Sequence, residues 1–109
     1  MIGKNSSQAP AVEGPDGIFR RTLVHNDEVM LCHFELKQGA RIPLHHHKPA
    51  QIGYVVSGRV RFTSGRHPEG FTVTTGDGYV FNPEEEHGAE ALEDSVFVEV
   101  FSPSRPEYA

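Results

Sequence analysis

Tryptophan is absent from this chain, and cysteine occurs once, at Cys32. A lone cysteine excludes an intrachain disulfide and a thiolate-rich zinc site. Its expected state is a buried, inert thiol. No apolar run approaches the roughly 18 residues that a membrane-spanning helix requires. The opening residues, MIGKNSSQAP, lack the apolar stretch of a signal peptide, so the cytoplasm is the expected location. A basic excess is also missing. Ten Lys and Arg stand against fifteen Asp and Glu, for a formal net charge of −5. Nucleic acids and anionic membrane surfaces select basic faces, so neither is expected as a partner. No segment sustains a helical period, and no internal repeat or low-complexity tract occurs.

What is present fits one soluble domain. The 109 residues, 37% hydrophobic and 23% charged, suffice for a single core without covalent staples. Residues 1–17 are rich in Gly, Ser, Pro and Asn and show no periodicity, which predicts a flexible N-terminal arm. Residues 18–109 then read as one domain ending in a short tail. EVMLCHFELK (28–37) alternates, with Met30, Cys32, Phe34 and Leu36 on one face. QIGYVVS, RVRFTS, FTVTT, GYVF, HGAEAL and SVFVEVF follow, separated by turns rich in Gly, Asn and Asp. Strands this short, at this spacing, predict an all-β sandwich or barrel.

Three consecutive histidines, His45, His46 and His47, fit a solvated surface cluster as readily as a metal site. On a strand, His45 and His47 would share a face and His46 would point away. Gln51 lies beyond the Lys48-Pro49-Ala50 break and could return to the side of His45 and His47. His87 closes a second stretch running from glycine to proline, GDGYVFNPEEEH. The wider spacing is more informative: Gly39, five residues, His45-x-His47, three residues, Gln51, six residues, Gly58. This resembles the first motif of the cupin superfamily, G-x5-H-x-H-x3,4-E-x6-G, with Gln51 in the glutamate's place. Gly76 and His87 fit the second motif, G-x5-P-x-G-x2-H-x3-N. Asn82 stands at its proline with Pro83 next, Glu84 at its turn glycine and Ala91 at its final asparagine.

The resemblance covers roughly residues 18–102. It implies a double-stranded β-helix, or jelly-roll barrel, holding one divalent ion per chain (Zn, Ni, Fe, Mn or Co) on His45, His47, Gln51 and His87. The chemistry of that set has a consequence. Three imidazoles and an amide bring no negative charge, so the ion keeps its full +2, where a Glu ligand would leave +1. A more positive site favours holding a carboxylate or enolate over stabilising a high oxidation state.

The last apolar run, SVFVEVF, places Val96, Val98 and Val100 on one face and Phe97, Glu99 and Phe101 on the other. Either that second face is partly solvated or Glu99 pairs with an arginine, or Glu99 is desolvated with a raised pKa, as suits a general acid/base. Arg105 follows a Pro-containing turn and is either a solvated tail residue or a bidentate clamp for a carboxylate. The stretch Glu99-Val100-Phe101-Ser102-Pro103-Ser104-Arg105, with Gln51 and the turn Tyr54–Gly58, resembles single-domain cupins of the KdgF type. Those proteins act in pectin and alginate breakdown and open 4,5-unsaturated monouronates to linear 5-keto-4-deoxyuronate. The resemblance implies Glu99 as proton carrier, where that family has the shorter Asp. It also implies Phe101 and Arg105 as contacts to a small anionic sugar. Small cupins often dimerise through sheet edges, so a homodimer is expected.

Two other functions remain open from the sequence: a cupin dioxygenase or other redox enzyme, and a non-catalytic module that binds a sugar or a metal. His25, His33 and His67 have no sequence partners and read as structural or solvated. Arg59, Arg61 and Arg66 read as a solvated strand face, and Glu84-Glu85-Glu86 as an exposed turn.

Overall fold

The computed structural model describes all 109 residues. The strands are β1 (Val12–Glu13), β2 (Ile18–His25), β3 (Met30–Leu36), β4 (Arg41–His45), β5 (Ala50–Ser57), β6 (Arg59–Ser64), β7 (Phe71–Thr74), β8 (Gly78–Phe81), β9 (His87–Ala91) and β10 (Ser95–Ser102). The only helical pieces are single 3-10 turns at Ser6–Gln8 and Pro106–Tyr108. Every strand pairing is antiparallel. The strands form two sheets, ordered β1-β2-β3-β10-β5-β8 and β4-β9-β6-β7. This is the expected all-β jelly roll.

Period-two patterning builds the interior. Met30, Cys32, Phe34 and Leu36 of β3 and Ser95, Phe97, Glu99 and Phe101 of β10 are buried, while the residues between them are less so. Phe97 and Phe101 are fully enclosed, and Phe62 joins rings from both sheets by packing on Tyr79 and Phe81. Cys32 is buried and unpaired, and desolvation pushes its thiol above the usual value.

The N-terminal arm lies against the barrel. β1 pairs with β2, Ala9 is buried, and Arg21 donates to the Ala9 carbonyl at 2.6 Å. Two paired residues are too short to leave an alternation in the sequence.

At the other end of the chain, the 3-10 turn at 106–108 brings Tyr108 back over the barrel. Its ring stacks with the guanidinium groups of Arg20 at 3.9 Å and Arg105 at 4.0 Å. Its carbonyl accepts from Thr22 of β2 at 2.5 Å. No helix of the molecule is long and apolar enough to cross a membrane.

Candidate metal centre

The register of β4 on β9 sets His45 directly opposite His87. Gln51, near the start of β5, pairs with Phe101 of β10 on one side and Phe81 of β8 on the other. His47 lies between β4 and β5. The three imidazoles converge, with one ring nitrogen of each within 4.8 Å of the others. His46 points outward, with its Nδ1 3.7 Å from the Glu84 carboxylate at an exposed position.

The expected inward and outward directions therefore occur, but their cause differs from the sequence argument. β4 ends at His45, so His47 is not on a strand. Its orientation comes from hydrogen bonding around the bend. His47 Nδ1 donates to the Pro49 carbonyl at 2.7 Å, and the His47 carbonyl accepts from Glu84 N–H at 2.8 Å. Glu84 has φ +62°, the left-handed backbone that the motif's glycine adopts freely. The loop keeps the turn despite the Cβ, because the turn anchors a histidine.

All three histidines are fixed in one tautomer. A carbonyl oxygen only accepts, so each Nδ1 beside one must carry the proton. The acceptors are the carbonyls of Pro43 at 2.9 Å, Pro49 at 2.7 Å and Glu85 at 2.7 Å. Each Nε2 is thereby left with its lone pair, the arrangement that orients histidine ligands in metal sites. Phe81 stacks on His87, with centroids 4.3 Å apart and planes 7° from parallel. Desolvation holds both His47 and His87 below the usual imidazole value, His87 at about 4, so both stay neutral near pH 7.

Gln51 fits the same centre. Its Nε2 donates to Glu99 Oε2 at 2.8 Å, which turns its Oε1 toward His47 Nε2 at 2.7 Å. Neutral His47, whose proton is on Nδ1, meets that oxygen lone pair to lone pair. A cation shared by the two atoms removes the repulsion, so the donor set suits a divalent ion.

Of the alternatives left open for Glu99, the structure shows the desolvated carboxyl, at 4% exposure. Its Oε2 also accepts from the Tyr79 hydroxyl at 2.6 Å. Burial pushes its pKa up to about 7, against the opposing pull of Tyr79, Gln51 and the Arg105 charge.

Arg105 lines the same cavity as His45, Gln51, His87, Glu99 and Phe101. Its side chain is 13% exposed, and its Nε donates to Glu107 at 2.7 Å. Neither Nη group donates to another protein group, which leaves both for an anion. Phe101 packs edge-on to His47, with centroids 5.8 Å apart. Six of the seven candidate residues thus line one cavity. The seventh, His47, is held beside them by its convergence with His45 and His87 and its contact with Gln51.

Sequence reasoning missed Tyr79 and Tyr108. An in-strand glycine, Gly53, was the available signal for the first, because such glycines often mark close approach by another group. Among the other expected features, Arg61 ties the β6–β7 turn by donating to the carbonyls of Pro68 and Glu69.

A family model described as a cupin domain matches residues 32–101. A pectin degradation protein KdgF from Dickeya dadantii (strain 3937) is 33% identical over 103 residues, which cover 93% of this chain and 92% of the relative. The solved structure of KdgF from a Halomonas species superposes with TM-score 0.90 at 29% identity, covering 100% of this chain and 99% of that one. An RmlC-like cupin from Shewanella frigidimarina NCIMB 400 gives TM-score 0.91 at 25% identity, covering 100% and 96%.

Proposed function

The chain belongs to the cupin family, and from that footing we propose that it opens the ring of small 4,5-unsaturated uronates to 5-keto-4-deoxyuronate without redox change. It holds one divalent ion on His45, His47, Gln51 and His87. The observation that carries this reading is the contact chain His47–Gln51–Glu99, which hydrogen-bonds a buried carboxyl directly to one of the metal ligands. The likeness to a protein named for pectin degradation supports the substrate class. Alginate-derived uronates present the same reacting atoms and belong to the same reading, as does the cytoplasmic location.

The reaction balances without an electron acceptor. The C1–O5 hemiacetal bond breaks, the C1 hydroxyl loses its proton as the aldehyde forms, and C5 becomes an enol. A proton added at C4 turns that enol into the ketone, so substrate and product are isomers. When bound, the divalent ion supplies positive charge that polarises the substrate's carboxylate and developing enolate oxygens. Arg105 uses its free Nη groups to grip the uronate carboxylate. Phe101 gives the ring a flat wall. Glu99 delivers the proton to C4, a role suited to a carboxyl with a pKa near neutrality. The cavity is only about 60 Å³, with Pro15 and Tyr108 in its lining, so it must widen to admit a sugar.

The test is metal analysis of protein purified without a histidine tag, then a screen against unsaturated monouronates from pectin and alginate. Conversion under nitrogen with a stoichiometric divalent ion is the expected result. Oxygen uptake with Fe or Ni but none with Zn would instead identify a dioxygenase. A sugar that binds unchanged with every metal would identify a binding module.

Gln51→Glu tests the charge argument. A carboxylate binds a divalent cation better than an amide, so the variant should resist chelators better than wild type. Turnover should nevertheless fall. One positive charge at the substrate oxygens is neutralised, and a carboxylate replaces the donor 2.8 Å from Glu99. Tighter metal binding with equal or faster turnover would remove the argument.

For the homodimer expected through sheet edges, an exposed sheet face offers a different surface. The outer face of the six-stranded sheet exposes Ile52 at 56%, Tyr54 at 51%, Val56 at 47% and Val80 at 61%. A continuous apolar sheet face of this kind suits a second copy of the chain better than the edges do. Ile52→Glu should convert dimer to monomer in sedimentation velocity with metal content unchanged. A monomeric wild type would dismiss the dimer.

A further inference from the structure

Three neighbouring strands place Tyr79, Gly53 and Glu99 in one row on the inner wall of the barrel. Gly53 of β5 stands opposite Tyr79 of β8 on one side and opposite Glu99 of β10 on the other. Tyr79 and Glu99 are therefore two strands apart, roughly 10 Å at the backbone. The phenol spans that distance because the middle strand has no side chain in its path. A Cβ at Gly53 would lie 2.2 Å from Tyr79 Cζ and 2.3 Å from its hydroxyl. Any other residue would have to push the ring aside.

The hydroxyl lands on one oxygen of the carboxyl. Glu99 Oε2 accepts from both Tyr79 at 2.6 Å and Gln51 Nε2 at 2.8 Å. Oε1 has no hydrogen-bond partner in the chain. It is also not among the unpartnered polar atoms sealed from solvent, so it opens on the cavity. Two donors thus occupy the inner oxygen and turn the outer one to the space that a ligand enters. Burial and the adjacent carboxyl push the Tyr79 phenol well above its ordinary pKa, so it stays a donor. A phenol that merely needed a partner could have paired with either oxygen. This one shares Oε2 with the metal-ligand amide and leaves Oε1 free.

We propose that Tyr79 is a positioning residue for Glu99, and that Gly53 is the gap through which it acts. The proposal rests on the ring-opening reading for its kinetic test but not for its structural one. Tyr79→Phe removes only the hydroxyl. It should lower kcat by about 10–100-fold, the scale of losing a supporting partner around a functional site, with KM and metal content unchanged. Gly53→Ala should give the same split. Because both changes break the same hydrogen bond, the double variant should be no slower than the worse single one. Even if Gly53→Ala folds poorly, Tyr79→Phe decides the matter alone. An unchanged kcat, or a fall in kcat accompanied by loss of metal or a raised KM, overturns the proposal. If wild type is inert on uronates, the ring-opening reading fails separately. The crystal structure of Tyr79→Phe then decides: a Glu99 carboxyl rotated from its wild-type orientation supports positioning, and an unmoved one refutes it.

Discussion

Replacing Glu99 by glutamine should lower turnover by about 10²–10⁴-fold, the usual contribution of a placed acid or base, with metal occupancy unchanged. The substitution suits this site unusually well. A glutamine oxygen at the Oε2 position keeps the hydrogen bonds from Tyr79 and Gln51, and its amide nitrogen takes the place of Oε1. Shape and hydrogen bonding inside the barrel are retained, and only the ability to give up a proton is lost. Relieving a buried ionisable group should also leave stability equal or higher near neutral pH. Glu99 has a folded pKa near 7, above its ordinary value. The native state therefore favours the protonated form, and its benefit is lost as pH rises through that value. Comparison of wild type and variant by steady-state kinetics, metal analysis and thermal unfolding checks all three statements. Near-normal turnover would return Glu99 to a structural role.

His45→Ala and His87→Ala should each cut metal affinity by at least about tenfold, whereas His46→Ala should leave it intact. Supporting partners around a metal already cost about 10–100-fold when removed, and a ligand should cost no less. His87 is the more demanding case. It is 4% exposed, stacked on Phe81 and fixed by the Glu85 carbonyl, so no flexible neighbour can replace its nitrogen. With its pKa held at about 4, protons do not compete for that nitrogen until the pH nears 4. His46 contacts only the exposed Glu84. Competition with a chromogenic chelator measures all three variants. Equal losses at His46 and His45 would mean that the convergence of inward-facing rings does not select the ligands.

The barrel and the converging histidines could both be read from the sequence, for different reasons. Period-two patterning marks β3 and β10, whereas His45, His47, Gln51 and His87 were singled out by their resemblance to the cupin motifs. His47 shows the limit of that patterning, since its direction is right although its strand ends two residues earlier. A carbonyl contact at Pro49 does the work that pleating was expected to do. The row of Phe97 and Phe101 made the burial of Glu99 one of the readings open from the sequence. Its partners were not legible there, because Tyr79 reaches it across a strand, and nothing in GYVF records what lies opposite. The tail is similar. Arg105 was expected near the mouth, but Tyr108 stacks between two arginines that are 85 positions apart in the chain. Contacts set by strand order leave no periodic signal in either partner.

The central claim is that this chain protonates C4 of an enol while the ligand is held in the barrel. The most direct measurement runs the reaction of metal-loaded protein in D2O under nitrogen and analyses the linear product by NMR. The account predicts one deuterium at C4, on a single face, with no requirement for oxygen, because Glu99 presents one oxygen to the cavity from one side. Product that forms only when oxygen is admitted, or deuterium spread equally over both faces of C4 as from an enol released into water, would contradict it.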